Sequence, residues 1–463
     1  MPQGTTPRRE FLKILGAGTA TVAAVGCGTD HVEKLIPYVH HPDQTVPGVS
    51  TYYATTCREC AAACGVIAET RDGRVIKLEG NPEHPLSRGA ICARGQASLQ
   101  GLYNPDRYRG PMMRKNGKLV QVKWQEAMQE FSRIVGETNS RGDAANAVFI
   151  NQHESGSFPT FLDAWLAANN LPAHISYDAE AQSAAMEANR QSYGVAWPAV
   201  RFSAAKLIVS FGADFLDGWG ASVPQQLDFA EARAKLDDAP RFIYVGARRS
   251  LTGLNADEWI PCRPGTEQIV AQALSGAIAP ATAAQQCDVP AEQLTRLARE
   301  IAIAKPSLLL AGGNGANALE LAQTVNRMNQ SAGNVGTTVL PNEALTGFEG
   351  MGGFGEVYDV VQRMGRGQVS LLMTRGANPA FTVPGFAAAM SKAKYRVSFS
   401  SYPDETASMA DLVLPDNHSL ESWGDAQPTR STISLQQPGM DPVFDTRATA
   451  DVLIEAAKAN QNT

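Results

Sequence analysis

Four cysteines near the start of the chain have the types and the spacing for metal chemistry. Cys57, Cys60 and Cys64 fall within TTCRECAAACG, and Cys92 follows in GAICARG. The pattern is C-x2-C-x3-C, then 27 residues, then the fourth cysteine. Three thiolates on one tight loop, closed by a fourth from a distant loop, can hold a [4Fe-4S] cluster. A structural zinc ion can also take four cysteines, more often as two C-x2-C pairs. Disulfides suit the pattern least, because neighbours on one loop would compete for Cys92.

The elements that position these thiols belong to an ordinary globular chain. Its 463 residues suffice for two or three domains. The composition, 44% hydrophobic and 19% charged, excludes a disordered or fibrous class. A net charge of -6 points away from nucleic acid and from anionic membrane surfaces. No apolar run reaches the ~20 residues of a spanning helix. Seven cysteines are too few for a disulfide scaffold. Outside the four, Cys262 and Cys287 read as packing thiols.

Residues 1–26 read as an export address. Arg8 and Arg9 in PRREFLK precede a short Gly/Ala/Thr/Val-rich run, the pattern of a twin-arginine signal. The run ends in AVGCG, which resembles a lipobox with Cys27 as the lipidated residue. The expected location is the periplasmic side of the cytoplasmic membrane. Twin-arginine export carries folded proteins, so a cluster inserted beforehand would keep its thiols from oxidation. Residues 27–50, rich in proline, read as an extended tether.

From Thr51 the alternating runs VIAET and RVIKLEG flank Asp72-Gly73, a β-hairpin with a type I′ signal. The loop EGNPEHPLSRG then returns the chain to Cys92. The cysteine spacing, this hairpin and loop, the C-x-R-G step and LYNPDR closely resemble the N-terminal iron–sulfur domain of the molybdopterin oxidoreductases, the dimethyl-sulfoxide-reductase superfamily. The resemblance implies that Arg94, two residues after the last cysteine, lies between cluster and pterin. A cation there would raise the cluster's potential. A salt bridge from Arg94 to a local carboxylate is the alternative.

Beyond residue 118 the chain alternates strand-like runs (AVFI, KLIVSF, RFIYV, SLLL) with amphipathic helices, the pattern of a parallel sheet covered by helices. His153 follows a strand end, where ligands often sit in open α/β sheets, although a lone histidine is more often structural. The fold class expected is α/β, with a small β-rich iron–sulfur domain at 51–118 and Rossmann-like parallel-sheet domains after it. The first of these is discontinuous, 119–200 with 340–463, and the second spans 201–339. IVSFGAD, NADEWIPCRPGTEQ, TRGANPAFTVPG, PDETASMADLVLPD and LESWGD resemble the family's pterin-binding segments. The positions carried over are Gly212, Asp214, Arg248, Gly265, Thr266, Glu267, Gly376 and Asn378.

Three departures lead to the expectation that molybdopterin is absent. The family often has Asp-Pro-Arg after the second Rossmann strand, and here Gly246-Ala247-Arg248 stands instead. The molybdenum-ligand region HISYDAEAQSAA holds no cysteine, only Asp178 and Ser183 as candidates. The last segment stops where longer members begin a C-terminal β-barrel domain, which the resemblance implies is lacking here. LIPYV, PG and YYATTC resemble the molybdopterin-like subunit of alternative complex III. That resemblance implies a lipid-anchored iron–sulfur scaffold and electron relay, not catalytic by itself, within a quinol-oxidising respiratory or photosynthetic complex. Implied partners are a ferredoxin-like multi-cluster subunit, integral membrane quinone-binding subunits and a multihaem cytochrome c. The rival is a molybdopterin-dependent enzyme whose missing domain lies on another chain.

Overall fold

A computed structural model describes residues 46–235 and 237–459. The expected signal, Cys27 and the first part of the tether lie outside the described residues. Strands β1 (Thr51–Thr56), β2 (Gly65–Arg71) and β3 (Arg74–Gly80) form an antiparallel sheet. Asp72 and Gly73 between β2 and β3 hold φ of 49° and 76°, as a type I′ turn requires. After β3 the loop folds back so tightly that a Cβ on Gly80 would lie 2.3 Å from the Gly89 backbone. That close approach carries Cys92 to the first residue of the helix Ala93–Leu102, where it is the N-cap.

The chain then starts a larger sheet. The hairpin of β4 (Met112–Lys115) and β5 (Lys118–Gln121) precedes β6 (Val148–Gln152) and β7 (Ile175–Tyr177). The short β8 (Ala199–Val200) leads into a second unit, β9 (Leu207–Phe211), β10 (Arg241–Val245), β11 (Glu258–Ile260) and β12 (Ser307–Ala311). All four are parallel, in the order β11-β10-β9-β12. Every residue of LIVSF and SLLLA is buried, as expected for strands covered on both faces. The chain returns through β13 (Val339–Leu340), which pairs with β8, to β14 (Leu371–Arg375), β15 (Tyr395–Ser398) and β16 (Leu412–Val413). These complete a seven-stranded sheet, β5-β4-β16-β15-β14-β6-β7, parallel from β16 to β7. A final hairpin, β17 (Gly424–Thr429) and β18 (Thr432–Gln436), lies against β1, where Thr56 Oγ1 donates to the Leu435 carbonyl at 2.9 Å.

Strand pairing moves two of the expected boundaries. The hairpin at 112–121 pairs with β16, so it belongs to the large sheet, and the iron–sulfur segment ends before it rather than at 118. The helix Ser183–Tyr193, expected with 119–200, packs on Ala318–Ala332 of the second unit, where Asn326 Nδ2 donates to Asn189 Oδ1 at 3.0 Å. The helix at 124–140 buries Trp124, Ala127, Met128, Phe131 and Ile134, the stripe read from its 3.6-residue period.

One ion pair ties the first segment to the C-terminal part. Arg107 and Glu421 are fully buried. Arg107 Nη1 and Nη2 donate to the two Glu421 oxygens at 3.0 and 2.7 Å, and Nη1 also reaches the Leu102 carbonyl at 2.8 Å. The backbone N–H groups of His418 and Val443 donate to the same carboxylate. Removing one partner of a buried pair strands the other charge. Glu421→Ala is expected to cost about 3–5 kcal/mol, read as a lower urea midpoint with an unchanged slope; a midpoint equal to wild type would contradict this role.

Candidate functional site

The loop that carries the first three cysteines is a tight backbone structure. Cys57 N–H donates to the Cys64 carbonyl at 2.8 Å, and Ala63, at φ 45°, donates to the Cys60 carbonyl at 3.2 Å. Cys64 is buried, and Cys57, Cys60 and Cys92 are half-buried beside the same apolar core. Cys92 stands at the N-cap position of the helix Ala93–Leu102. Gly95 in the first turn leaves room for Ile91, whose Cγ1 would lie 2.6 Å from a Cβ there, and Cys57 Sγ lies in ordinary contact beyond it.

The thiols sense one another. Burial first, and then repulsion from the neighbouring thiols, pushes Cys57 up to about 12, and raises Cys64 as well. Burial raises Cys60, opposed in part by Arg94. Without a metal these groups are protonated at neutral pH, and metal loading must displace their protons. Among the described residues no three His, Cys, Asp or Glu side chains converge closely enough, as placed, to hold a metal ion. Cys57, Cys60, Cys64 and Cys92 would hold an iron–sulfur core, which supplies one-electron transfer when bound.

Arg94 takes the local salt bridge. Its Nη2 donates to Glu180 Oε2 at 2.5 Å, with both side chains about half exposed. Asp178 lines the cleft next to Cys60, Cys92 and Arg94, whereas Ser183 is turned against Gly353.

The other residues divide between two clefts at the carboxyl ends of the two parallel sheets. Gly212, Asp214, Arg248, Gly265 and Glu267 line a cavity of about 720 Å³ at the end of the four-stranded sheet. Thr266 is not in its wall and instead donates to the Arg263 carbonyl. Strand order reverses between β9 and β12, the switch point at which open α/β sheets bind ligands. Gly312 and Gly212 meet there so closely that a Cβ on Gly312 would lie 2.4 Å from the Gly212 carbonyl oxygen. Asp214 is already committed: it accepts from Tyr244 Oη at 2.8 Å, Arg248 Nη2 at 3.1 Å and Ser250 Oγ.

Gly376 and Asn378 line the second cleft, about 460 Å³, at the end of the seven-stranded sheet. Its switch point lies between β6 and β14. A chain of charges absent from the sequence reading occupies it. Arg58, from the cysteine loop, pairs with Glu154, just beyond β6. Glu154 also pairs with Arg375, the last residue of β14, and Arg375 Nε donates to Asp416 at 2.8 Å. Asn151 Nδ2 adds a bond to Glu154 at 3.2 Å, and Arg375 stacks 4.1 Å above the Phe158 ring. Burial alone would raise the Glu154 carboxyl, but Arg375 and Arg58 hold it below the ordinary carboxylate range. His153, singled out from the sequence, is a packing residue: its ring bonds Ser176 Oγ and the Gly347 carbonyl. The signal for Glu154 was one residue further on in NQHESG, a carboxylate at a strand end.

Two family models match the chain: the molybdopterin oxidoreductase Fe4S4 domain over residues 50–104 and molybdopterin oxidoreductase over residues 107–459. The chain belongs to the molybdopterin oxidoreductase family. Among its relatives, the menaquinone reductase molybdopterin-binding-like subunit of Nitratidesulfovibrio vulgaris is 28% identical, across 96% of this chain and 71% of that one. The periplasmic nitrate reductase of Desulfovibrio desulfuricans is 24% identical over 98% and 71%. The arsenate respiratory reductase molybdopterin-containing subunit of Shewanella is 28% identical, but over 58% of this chain and 32% of its own. Acetylene hydratase from Pelobacter acetylenicus superposes with a TM-score of 0.72 at 15% identity, covering 88% of this chain and 68% of that one, and shares the fold.

At the rim of the second cleft, burial pushes His418 down to about 4 from 6.5, while Glu421 and Arg107 act in opposite directions. The unfolded chain therefore binds a proton that the folded chain refuses between these values. The stability is whole above pH 6.5 and falls as pH drops toward 4. His418→Asn, which keeps a cap acceptor for the Leu420 N–H, is expected to flatten that fall by roughly 3 kcal/mol. Urea titrations from pH 7 to about pH 4 check it; parallel curves for the two proteins would refute it.

Proposed function

We propose that this chain is the iron–sulfur subunit of a quinone-linked, membrane-associated electron-transfer assembly, with a [4Fe-4S] cluster on Cys57, Cys60, Cys64 and Cys92 and no molybdenum centre of its own. Of the two relatives above that span almost the whole chain, the more similar, at 28% identity against 24% for the periplasmic nitrate reductase, is a molybdopterin-binding-like subunit of a menaquinone reductase, which favours this assembly type. The Fe4S4 match supports the cluster.

The observation that carries the pterin-free reading is electrostatic. Among the described residues, the cleft beside the cysteines and the two clefts at the strand ends are together lined by ten carboxylates and four arginines. Each arginine is paired within the chain: Arg58 and Arg375 with Glu154, Arg94 with Glu180, Arg248 with Asp214. A pterin dinucleotide brings phosphates, and phosphate sites depend on free cations or backbone N–H groups. An acidic crevice with its cations already neutralised repels such a ligand.

In this reading the chain is exported by its twin-arginine signal, anchored at Cys27 and held on the periplasmic side of the membrane. It docks a ferredoxin-like multi-cluster subunit, integral quinone-binding subunits and a multihaem cytochrome c. Quinone chemistry takes place on those partners, and the cluster passes single electrons or staples the first segment. A second reading, a molybdopterin enzyme completed by another chain, is favoured by the glycine-lined cavity between β9 and β12, where Gly212 and Gly313 face open space.

Elemental analysis of the complex isolated from membranes separates the two. The expected result is about four irons and four acid-labile sulfides on this chain, with molybdenum and tungsten far below one per chain, and loss of the reduced-state EPR signal in Cys64→Ser. Stoichiometric molybdenum or tungsten would overturn the proposal.

A further inference from the structure

The acidic lining says that a dinucleotide is disfavoured; the second cleft shows which residue excludes it there. Topology puts the ligand position of the seven-stranded sheet between β6 and β14. Two guanidiniums point into that place, Arg58 from the cysteine loop and Arg375 from the end of β14. Such a pair would ordinarily grip a phosphate, since Arg binds carboxylate and phosphate oxygens through the same N–H fork. Here one carboxylate takes both: Glu154 Oε2 accepts from Arg58 and Oε1 from Arg375.

We infer that Glu154 is an internal anion that occupies an anion-binding position between Arg58 and Arg375 and so determines that this cleft takes no phosphate-bearing ligand. The inference rests on the pterin-free reading and deepens it by naming the excluding residue.

The surroundings are those of a built site. All four charged side chains of the chain from Arg58 to Asp416 are at least 79% buried. Asp416, Asn151 and the Phe158 ring fix the Arg375 guanidinium in place, and the Asp425 carbonyl accepts from Arg58 Nη1 at 3.0 Å. The two cations are thus oriented by groups other than Glu154. Truncating the Glu154 side chain leaves them preorganised around an empty anion position, and ordering them for a ligand costs little. Asp416 neutralises part of Arg375, so the gained affinity should be that of a phosphate group held mainly by Arg58 and one face of Arg375.

The test uses the full chain with its native cofactor content and inorganic pyrophosphate as probe. Titration calorimetry on Glu154→Ala is expected to show binding at least about tenfold tighter than wild type, a gain set by charge-assisted bonds to two arginines. The double variant Arg58→Gln/Glu154→Ala should return toward wild type. Where a variant is too unstable to titrate, its melting temperature with and without pyrophosphate is the readout: stabilisation of Glu154→Ala but not of wild type supports the inference. Wild type binding pyrophosphate as tightly as Glu154→Ala overturns it, as does folded Glu154→Ala showing neither binding nor stabilisation. Fluorescence of oxidised pterin in extracts of the wild-type chain separates the premises: a pterin there defeats the pterin-free reading itself, and the exclusion with it, whereas a failed titration on a pterin-free chain defeats only the role of Glu154.

Discussion

The bridge of Glu154 to Arg58 and Arg375 is the interaction on which the arrangement of this chain turns. Charges so far from water are costly unless paired, and loss of one partner leaves the others exposed to that cost. The bridge therefore fixes three parts at once. Arg58 belongs to the cysteine loop, Glu154 follows β6, and Arg375 ends β14, with Asp416 beyond β16 closing the series. It joins the thiol loop to the carboxyl edge of the large sheet and lines the cleft at that sheet's switch point. A fold whose architecture offers a ligand crevice has here placed its own charges in it.

The cysteine segment depends on the same economy of space. Four thiols are held by a loop closed on its own backbone and by a helix N-terminus brought back through Gly80 and Gly89. Burial keeps Cys57, Cys60 and Cys64 protonated until a metal core replaces the protons, so loading and order in this segment are coupled. The buried Arg107–Glu421 pair then locks the segment to the C-terminal part, and the β17–β18 hairpin covers one side.

How much of this was legible in the sequence follows from the range of the signals. The cysteine spacing, the Asp72-Gly73 turn, the buried strands LIVSF and SLLLA and the amphipathic helix at 124–140 are local patterns, and each reads directly. The placement of Gly212, Asp214 and Gly376 at strand ends followed from family motifs. The bridge did not read, because its partners are 96 and 221 residues apart and no periodicity links them. For the same reason His153 drew attention although the adjacent Glu154 holds the cleft. The hairpin at 112–121 was divided because its pairing partner, β16, lies some three hundred residues away. Pairing of Arg94 with a carboxylate was one of two readings, and its partner, Glu180, lies 86 residues away, beyond the reach of any local pattern.

The central claim is that this member of the molybdopterin oxidoreductase family holds an iron–sulfur core but leaves its crevice to its own side chains. Native mass spectrometry of the intact chain, released gently from its complex, tests that most directly. The account predicts a single mass increment, that of four irons and four sulfides above the processed polypeptide. An additional increment matching one or two pterin dinucleotides would contradict it.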